Sequence, residues 1–298
     1  MSDKTQNQHF VPQSYMKRFA ENGKISVFSK ADNKVCTKQN PRNYAASRYY
    51  YDTNRLELEI LMKELIELKP AILQHVNWND PQLIEHYFSQ SEAAVKTLFD
   101  RIEVDPDQID ADGTIAQITI FIHDLAYRNP AYRDGLVRNN EITYNVLTDM
   151  NLTEVQKKYV EEKYGQNQAR IQQLHAITDV APVLQTYKML FEGYELFFAE
   201  AKGNAQFLIS DDPAYAVRFS YPEICFPLSG KHALLFRKPN ISSPLMGNDI
   251  PTGNRISISV GNVAKHNLLQ FCAASRFVFG DTFNLEQMKL LWEHRKKV

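Results

Sequence analysis

The chain has 298 residues, 44% of them apolar and 23% charged, which is globular composition with length for one large domain or two small ones. A formal net charge of −1 excludes a global field that would hold it to nucleic acid or to an anionic membrane, although a nucleotide or nucleic-acid contact through a local patch stays open. No stretch reaches the roughly 18 continuous apolar residues of a membrane helix, and Met1 to Gln8 is polar without the apolar core of a secretory signal, so a cytoplasmic protein is expected.

Residues 1–55 read as extended and turn-rich. Gln8-His9-Phe10-Val11-Pro12 carries a histidine between apolar neighbours, an ordered segment that brings a polar group into the protein. Lys24 to Phe28 alternates polar and apolar as a half-buried strand does, Ala31 to Lys34 supplies turn residues, and Val35 to Thr37 resumes the strand, which predicts a hairpin. Asn40-Pro41 breaks it, and Tyr49-Tyr50-Tyr51 offers an aromatic anchor.

The period changes from 2 to 3.6 near Asn54, and residues 56–190 form a helical block. Leu56, Ile60, Leu61, Leu65 and Leu68 share one face, and the acids opposite, Glu57, Glu59, Glu64 and Glu67, read as a solvated face. Asp80-Pro81 opens a helix that runs towards Arg101; Asp112-Gly113-Thr114 opens another that reaches Tyr127-Arg128-Asn129, where Pro130 stops it or starts the next. One long polar helix is predicted over roughly Thr153 to Ile177, with helix again to about Met189.

Residues 191–298 return to strands. The apolar runs at Leu196–Ala199, Phe207–Ile209, Ile224–Leu228, Ala233–Phe236 and Ile256–Val260 suit a mixed sheet covered on both faces. Helices follow at Asn262–Ser275, with Lys265-His266-Asn267 read as exposed, and at Asn284–Arg295, with Phe277–Phe279 as a last strand. The loop from Lys238 to Asn254 is the expected mobile element. The fold class is α+β: an N-terminal hairpin, a central helical block and a C-terminal mixed sheet with flanking helices, integrated in one domain.

In this order, Gln8-His9-Phe10-Val11-Pro12 with Tyr15 and Phe19, the acidic helix at Glu59 and Glu67, Tyr127-Arg128-Asn129-Pro130, Phe207-Leu208-Ile209-Ser210-Asp211-Asp212-Pro213 and Phe226-Pro227-Leu228-Ser229 resemble the bacterial DUF4238 family over nearly the whole chain. The resemblance implies no settled activity. Two departures stand out against it: Asn129 where threonine is more usual, and Asp212 where asparagine is common, which makes Asp211 the stronger essential carboxylate.

The residues permit two functional readings. In the first, His9 is general acid/base or ligand, Asp211 is base or metal ligand, and Arg128 clamps an anion, with Gln8, Tyr15, Arg133 and Ser210 touching substrate. Asp211, Asp212 and Glu59 would hold Mg²⁺ or Mn²⁺, giving a metal-dependent, nuclease-like hydrolase of a phosphate or phosphodiester in a defence or toxin-like setting. In the second, the chain is a non-catalytic binding or regulatory module: His9 anchors a carbonyl, Asp211 and Asp212 are turn residues, and Arg128 joins the helices to the sheet through Glu59 or Asp211. His123 reads as a satisfied core histidine. Cys36, Cys225 and Cys272 read as reduced, mostly buried thiols without the flanking signature of a nucleophile, and the P-loop, GxGxxG, GxSxG and HExxH motifs do not occur.

Overall fold

The computed structural model describes residues 6–54, 57–58, 77, 80–110, 113–165, 168–219, 221–239 and 249–295. Strand β1 (Asn7–His9) pairs antiparallel with β4 (Ala46–Arg48), which pins the N-terminal segment beside the hairpin of β2 (Ile25–Ser29) and β3 (Lys34–Gln39). A short helix α1 (Gln13–Met16) follows Pro12 and buries Tyr15 and Met16.

The helical block contains α2 (Leu83–Val104), α3 (Thr114–Tyr127), α4 (Pro130–Thr148), α5 (Glu154–Tyr164), α6 (Gln168–Thr178) and α7 (Val180–Tyr187). Local chemistry sets these boundaries. Asp80 Oδ1 accepts the Gln82 N–H at 2.9 Å ahead of α2, and Asn129 caps α4 with Pro130 in the first turn. The long polar helix expected over Thr153–Ile177 is two helices, because α5, opened by a Thr153–Gln156 capping box, ends at Gly165. The apolar stripe of Leu56 to Leu68, including Glu59, Glu64 and Glu67, lies outside the described residues apart from Glu57 and Leu58, as does most of the Lys238–Asn254 loop.

Two four-stranded sheets complete the fold. One has the order β3-β2-β10-β6, with β6 at Ile209–Ser210 and β10 at Phe277–Gly280, all antiparallel. The other has the order β7-β8-β5-β9, with β7 Glu223–Pro227, β8 His232–Arg237, β5 Glu195–Ala201 and β9 Arg255–Ile258, in which only the β5–β9 pair is parallel. Helices α8 (Val260–Ala273) and α9 (Thr282–Arg295) flank the strands.

The N-terminal hairpin is therefore not separate from the C-terminal strands, since β2 pairs with β10 across the length of the chain. This explains a departure from the expected half-buried strand. All five residues of β2 are buried, with Ile25 and Val27 in the main apolar cluster and Phe28 in a second one with Leu208, Phe271, Val278, Leu285 and Met288. The main cluster centres on Tyr15, Phe19, Phe99, Phe121 and Phe226, whose rings meet mostly edge to face at 5.4–6.4 Å. Among the described residues no helix is long and apolar enough to cross a membrane.

Candidate functional site

The N-terminal motif divides its side chains between two tasks. Gln8 is fully buried; its carbonyl accepts the Tyr51 N–H and its amide donates to Asp52, which also accepts from Gln82. His9 lies at the end of β1 with Nε2 3.2 Å from the Arg42 carbonyl. Burial, with the nearby Arg128 charge adding to it, holds the His9 imidazole below its ordinary value.

Arg128 follows α3 and is 1% exposed. Its Nε donates to the Phe10 carbonyl at 3.0 Å, its Nη1 pairs with Glu92 of α2 at 2.9 Å, and its guanidinium lies over the Phe88 ring. The arginine thus faces inward and finds Glu92 rather than Asp211. Asp124, one turn earlier, accepts from Tyr87 and Ser91 rather than pairing along its own helix. Burial lifts the Asp124 carboxyl to about 7, with Arg128 pulling the other way.

The Ser210-Asp211-Asp212 segment at the end of β6 is equally occupied. Asp211 Oδ1 accepts the Ser275 N–H at 2.8 Å, and Oδ2 accepts the N–H groups of Arg276 at 2.8 Å and Phe277 at 3.3 Å, tying the α8–β10 turn to β6. Burial pushes the Asp211 carboxyl up against these three donors. Asp212 takes a two-pronged contact from Arg218 and a 3.0 Å bond from Asn129 Nδ2. Ser210 donates to Gln270 Oε1 at 2.7 Å.

His9, Arg128 and Asp211 gather around Phe10 without bonding one another. Arg128 holds the Phe10 carbonyl, while Arg276 lies over the Phe10 ring at 5.4 Å and comes within 4.0 Å of Asp211. The remaining sequence candidates are placed as follows. The Tyr15 hydroxyl donates to the Pro227 carbonyl inside the aromatic core. Arg133 bonds Gln173 at 2.6 Å and stacks on Tyr50. Glu57, read as solvated, is buried and pairs with Arg170. His123 is satisfied by Thr186 and the Ala176 carbonyl, as its apolar helix face suggested. Among the described residues no three His, Cys, Asp or Glu side chains are grouped to hold a metal ion, and Glu59 lies outside them. The Asp211 and Asp212 oxygens, turned to N–H and guanidinium donors, do not fit a bound Mg²⁺ or Mn²⁺ in this arrangement.

A different constellation lines a cavity of about 190 Å³ between β7 and α8. Glu223 and Cys225 are two residues apart on β7 and so share one strand face. Asn262, His266 and Gln270 recur every four residues along one face of α8 and are all buried. His266 Nε2 lies 3.4 Å from Glu223 Oε1, with the two side chains 6% and 0% exposed, and Cys225 lines the same cavity. Burial alone would lower the imidazole; Cys225 and then Glu223 outweigh it and push His266 up to about 10. The walls are Phe207, Tyr215, Ala216, Tyr221 and Leu269, so the chamber is mostly apolar around one charged corner.

The expectation that Lys265-His266-Asn267 is exposed fails for its last two members, since α8 packs against β6 and turns His266 and Asn267 inward. The signal was available in two patterns: the alternation that puts Glu223 with Cys225, and the four-residue polar spacing of Asn262, His266 and Gln270. Neither predicts that the strand and the helix meet.

Fold and site together define an α+β protein with a small, largely apolar chamber whose polar corner holds a half-buried Cys225 and the buried His266 and Glu223. A family model described as a protein of unknown function, DUF4238, matches residues 7–283, and the chain belongs to that family. Comparison with curated proteins and with solved structures finds no match.

Proposed function

We propose that this chain is a binding domain for a small, largely apolar molecule, seated in the chamber between β7 and α8, and that His9, Arg128 and Asp211 are structural, each holding its own backbone partners. The observation that supports the structural role most strongly is Asp211, whose two oxygens accept three backbone N–H groups. A carboxylate used in this way holds a turn, and freeing it for a metal or a proton transfer would break its bonds to three backbone N–H groups. The chamber has the other properties of a ligand site: apolar walls, a few convergent polar groups and a strongly shifted histidine. A metal-assisted phosphohydrolase would require Asp211 and Asp212 to exchange their present partners for a cation. With three cysteines outside any disulfide, the chain suits a reducing compartment, and a bacterial cytoplasm is the setting proposed for it.

The test is a melting-temperature screen with Mg²⁺, Mn²⁺, a nucleotide panel, and a panel of short-chain amides and esters. The reading expects a rise with members of the last group and none with the metals or nucleotides. A rise with Mg²⁺ or Mn²⁺ that disappears in Asp211→Asn would return the polar segment to the status of a metal site.

A further inference from the structure

We propose that Cys225 and His266 are a nucleophile and acid–base pair, positioned by Glu223, that hydrolyses a small carboxylic ester or amide whose apolar acyl group fills the chamber. This deepens the proposed binding function and rests on the chamber being a ligand site.

The geometry supplies each part that acyl transfer requires. Cys225, His266 and Glu223 line one chamber, with His266 Nε2 3.4 Å from Glu223 Oε1, so a thiol, an imidazole and a carboxylate share its polar corner. Glu223 is fully enclosed, so its charge acts on His266 in a poorly solvated corner. Cys225 is half-buried while Glu223 and His266 are buried, so the thiol is the most accessible of the three.

The backbone adds a donor. Leu228 N–H donates to the His232 carbonyl at 2.8 Å, and Lys238 N–H to the Pro222 carbonyl at 2.9 Å. In an antiparallel pair these bonds alternate, so residues 222, 224, 226 and 228 are the partners bonded to β8, and the Cys225 N–H turns away from β8. Strand β7 is the edge of its sheet, which leaves that N–H on the same side as the Pro227 carbonyl that Tyr15 bonds. An N–H at the nucleophile is the simplest donor for the oxygen that gains charge when sulfur adds to a carbonyl.

The step balances without any further reagent. The Cys225 sulfur, its proton held by His266, adds to the carbonyl carbon. The tetrahedral adduct then expels the alkoxide or amine, which takes the proton from His266. Water attacks the resulting thioester while His266 accepts a proton, and collapse releases the carboxylic acid and restores the thiol. Volume limits the acyl group. A cavity of about 150 Å³ holds benzene, so about 190 Å³ suits a short aliphatic or single-ring acyl chain.

The experiment uses the full chain with p-nitrophenyl butyrate as reactive probe and butyramide as an unreactive one. The expected result is p-nitrophenol release with a butyryl mass increment on Cys225 during turnover, leaving Cys36 and Cys272 unmodified. Cys225→Ser drops release at least 100-fold, to background. Glu223→Gln, folded by its melting curve, lowers kcat roughly tenfold or more with KM unchanged and shifts the pH profile of Cys225 acylation, which a merely structural role would not do. Butyryl on Cys36 or Cys272 as fast as on Cys225, or release equal to that of Cys225→Ser, overturns the catalytic assignment. If butyramide still raises the melting temperature in that case, the chamber remains a binding site and only the chemistry falls. If butyramide has no effect and no acylation is seen, both fall.

Discussion

The side-chain amide of Asn129 donates to Asp212 at 3.0 Å, joining the α3–α4 corner to the end of β6 across 83 residues of chain. The same Asn129 caps α4 by accepting the Tyr132 N–H at 2.9 Å and donates to the Leu125 and Ala126 carbonyls. Asp212 in turn holds Arg218, whose guanidinium reaches the Ala126 carbonyl. One helical corner is therefore closed from two directions by a single carboxylate.

Replacing Asn129 with threonine keeps a cap but removes the donor to Asp212. The expected cost is about 1.5–3 kcal/mol for a lost bond to a charged group, and Asp212→Asn costs a similar amount through Arg218. The double variant is predicted to be less destabilised than the sum of the singles by about 1 kcal/mol or more. Urea denaturation of the four proteins measures it, and strict additivity would show that the two side chains act independently.

Asp124 gives the protein a pH-dependent stability. Its carboxyl is raised from an ordinary 3.8 to about 7, so the unfolded chain releases this proton near pH 4 while the folded chain keeps it until about 7. The unfolded state thus binds fewer protons across that window, and stability falls as pH rises from about 4 to 7 and is level above it. Asp124→Asn preserves an acceptor for Tyr87 and Ser91 and removes the slope. Each tenfold difference in proton affinity between the folded and unfolded chain corresponds to about 1.4 kcal/mol. The variant should therefore be more stable than the parent by a few kcal/mol at pH 8 and little different at pH 4. Denaturation midpoints at the two pH values decide this, and a variant less stable at pH 8 would contradict it.

Asp211→Asn places an amide N–H₂ against N–H groups of the α8–β10 turn. We expect a loss of about 1–3 kcal/mol, the net worth of the hydrogen bonds lost, with no change in the response to Mg²⁺. Isothermal denaturation with and without the cation measures both.

Gln8→Leu fills similar volume but strands the Tyr51 N–H and removes one of the two side-chain donors to Asp52. Its predicted cost is about 2 kcal/mol, with hydrogen exchange rising first at the β1–β4 pair. Uniform exchange across the chain would show that Gln8 does not pin this segment.

Much of the architecture was legible in local chemistry. The hairpin turn at Ala31–Lys34, Pro130 at the junction of α3 and α4 and the apolar runs of β5 and β8 each announce an element through residues close in sequence. What local pattern does not carry is pairing at a distance. That β2 joins β10, and that β7 lies against α8, depends on closure over long stretches of chain, which no spacing in the sequence encodes. The candidate site divided along the same line. The motif at Gln8–Pro12 and the Ser210–Asp212 segment are ordered and polar, as expected, but their side chains meet backbone groups and arginines rather than one another. Arg128 was expected to seek Glu59 or Asp211 and meets Glu92, one of several acids with equal claim in one dimension. Glu223, Cys225 and His266 carry no motif, and only the fold brings them to one corner.

If ligand binding belongs to the chamber and not to the polar segment, blocking the chamber must abolish it and disturbing the segment must not. The melting shift produced by saturating butyramide, measured for the parent, Ala216→Leu and Asp211→Asn each against its own baseline, tests this most directly. At a hundredfold excess over Kd a ligand adds about 2.7 kcal/mol, roughly 5 °C for a chain of this size. The predicted result is that rise in the parent and in Asp211→Asn, and none in Ala216→Leu, where the added side chain occupies the chamber. A rise lost in Asp211→Asn and kept in Ala216→Leu would contradict it.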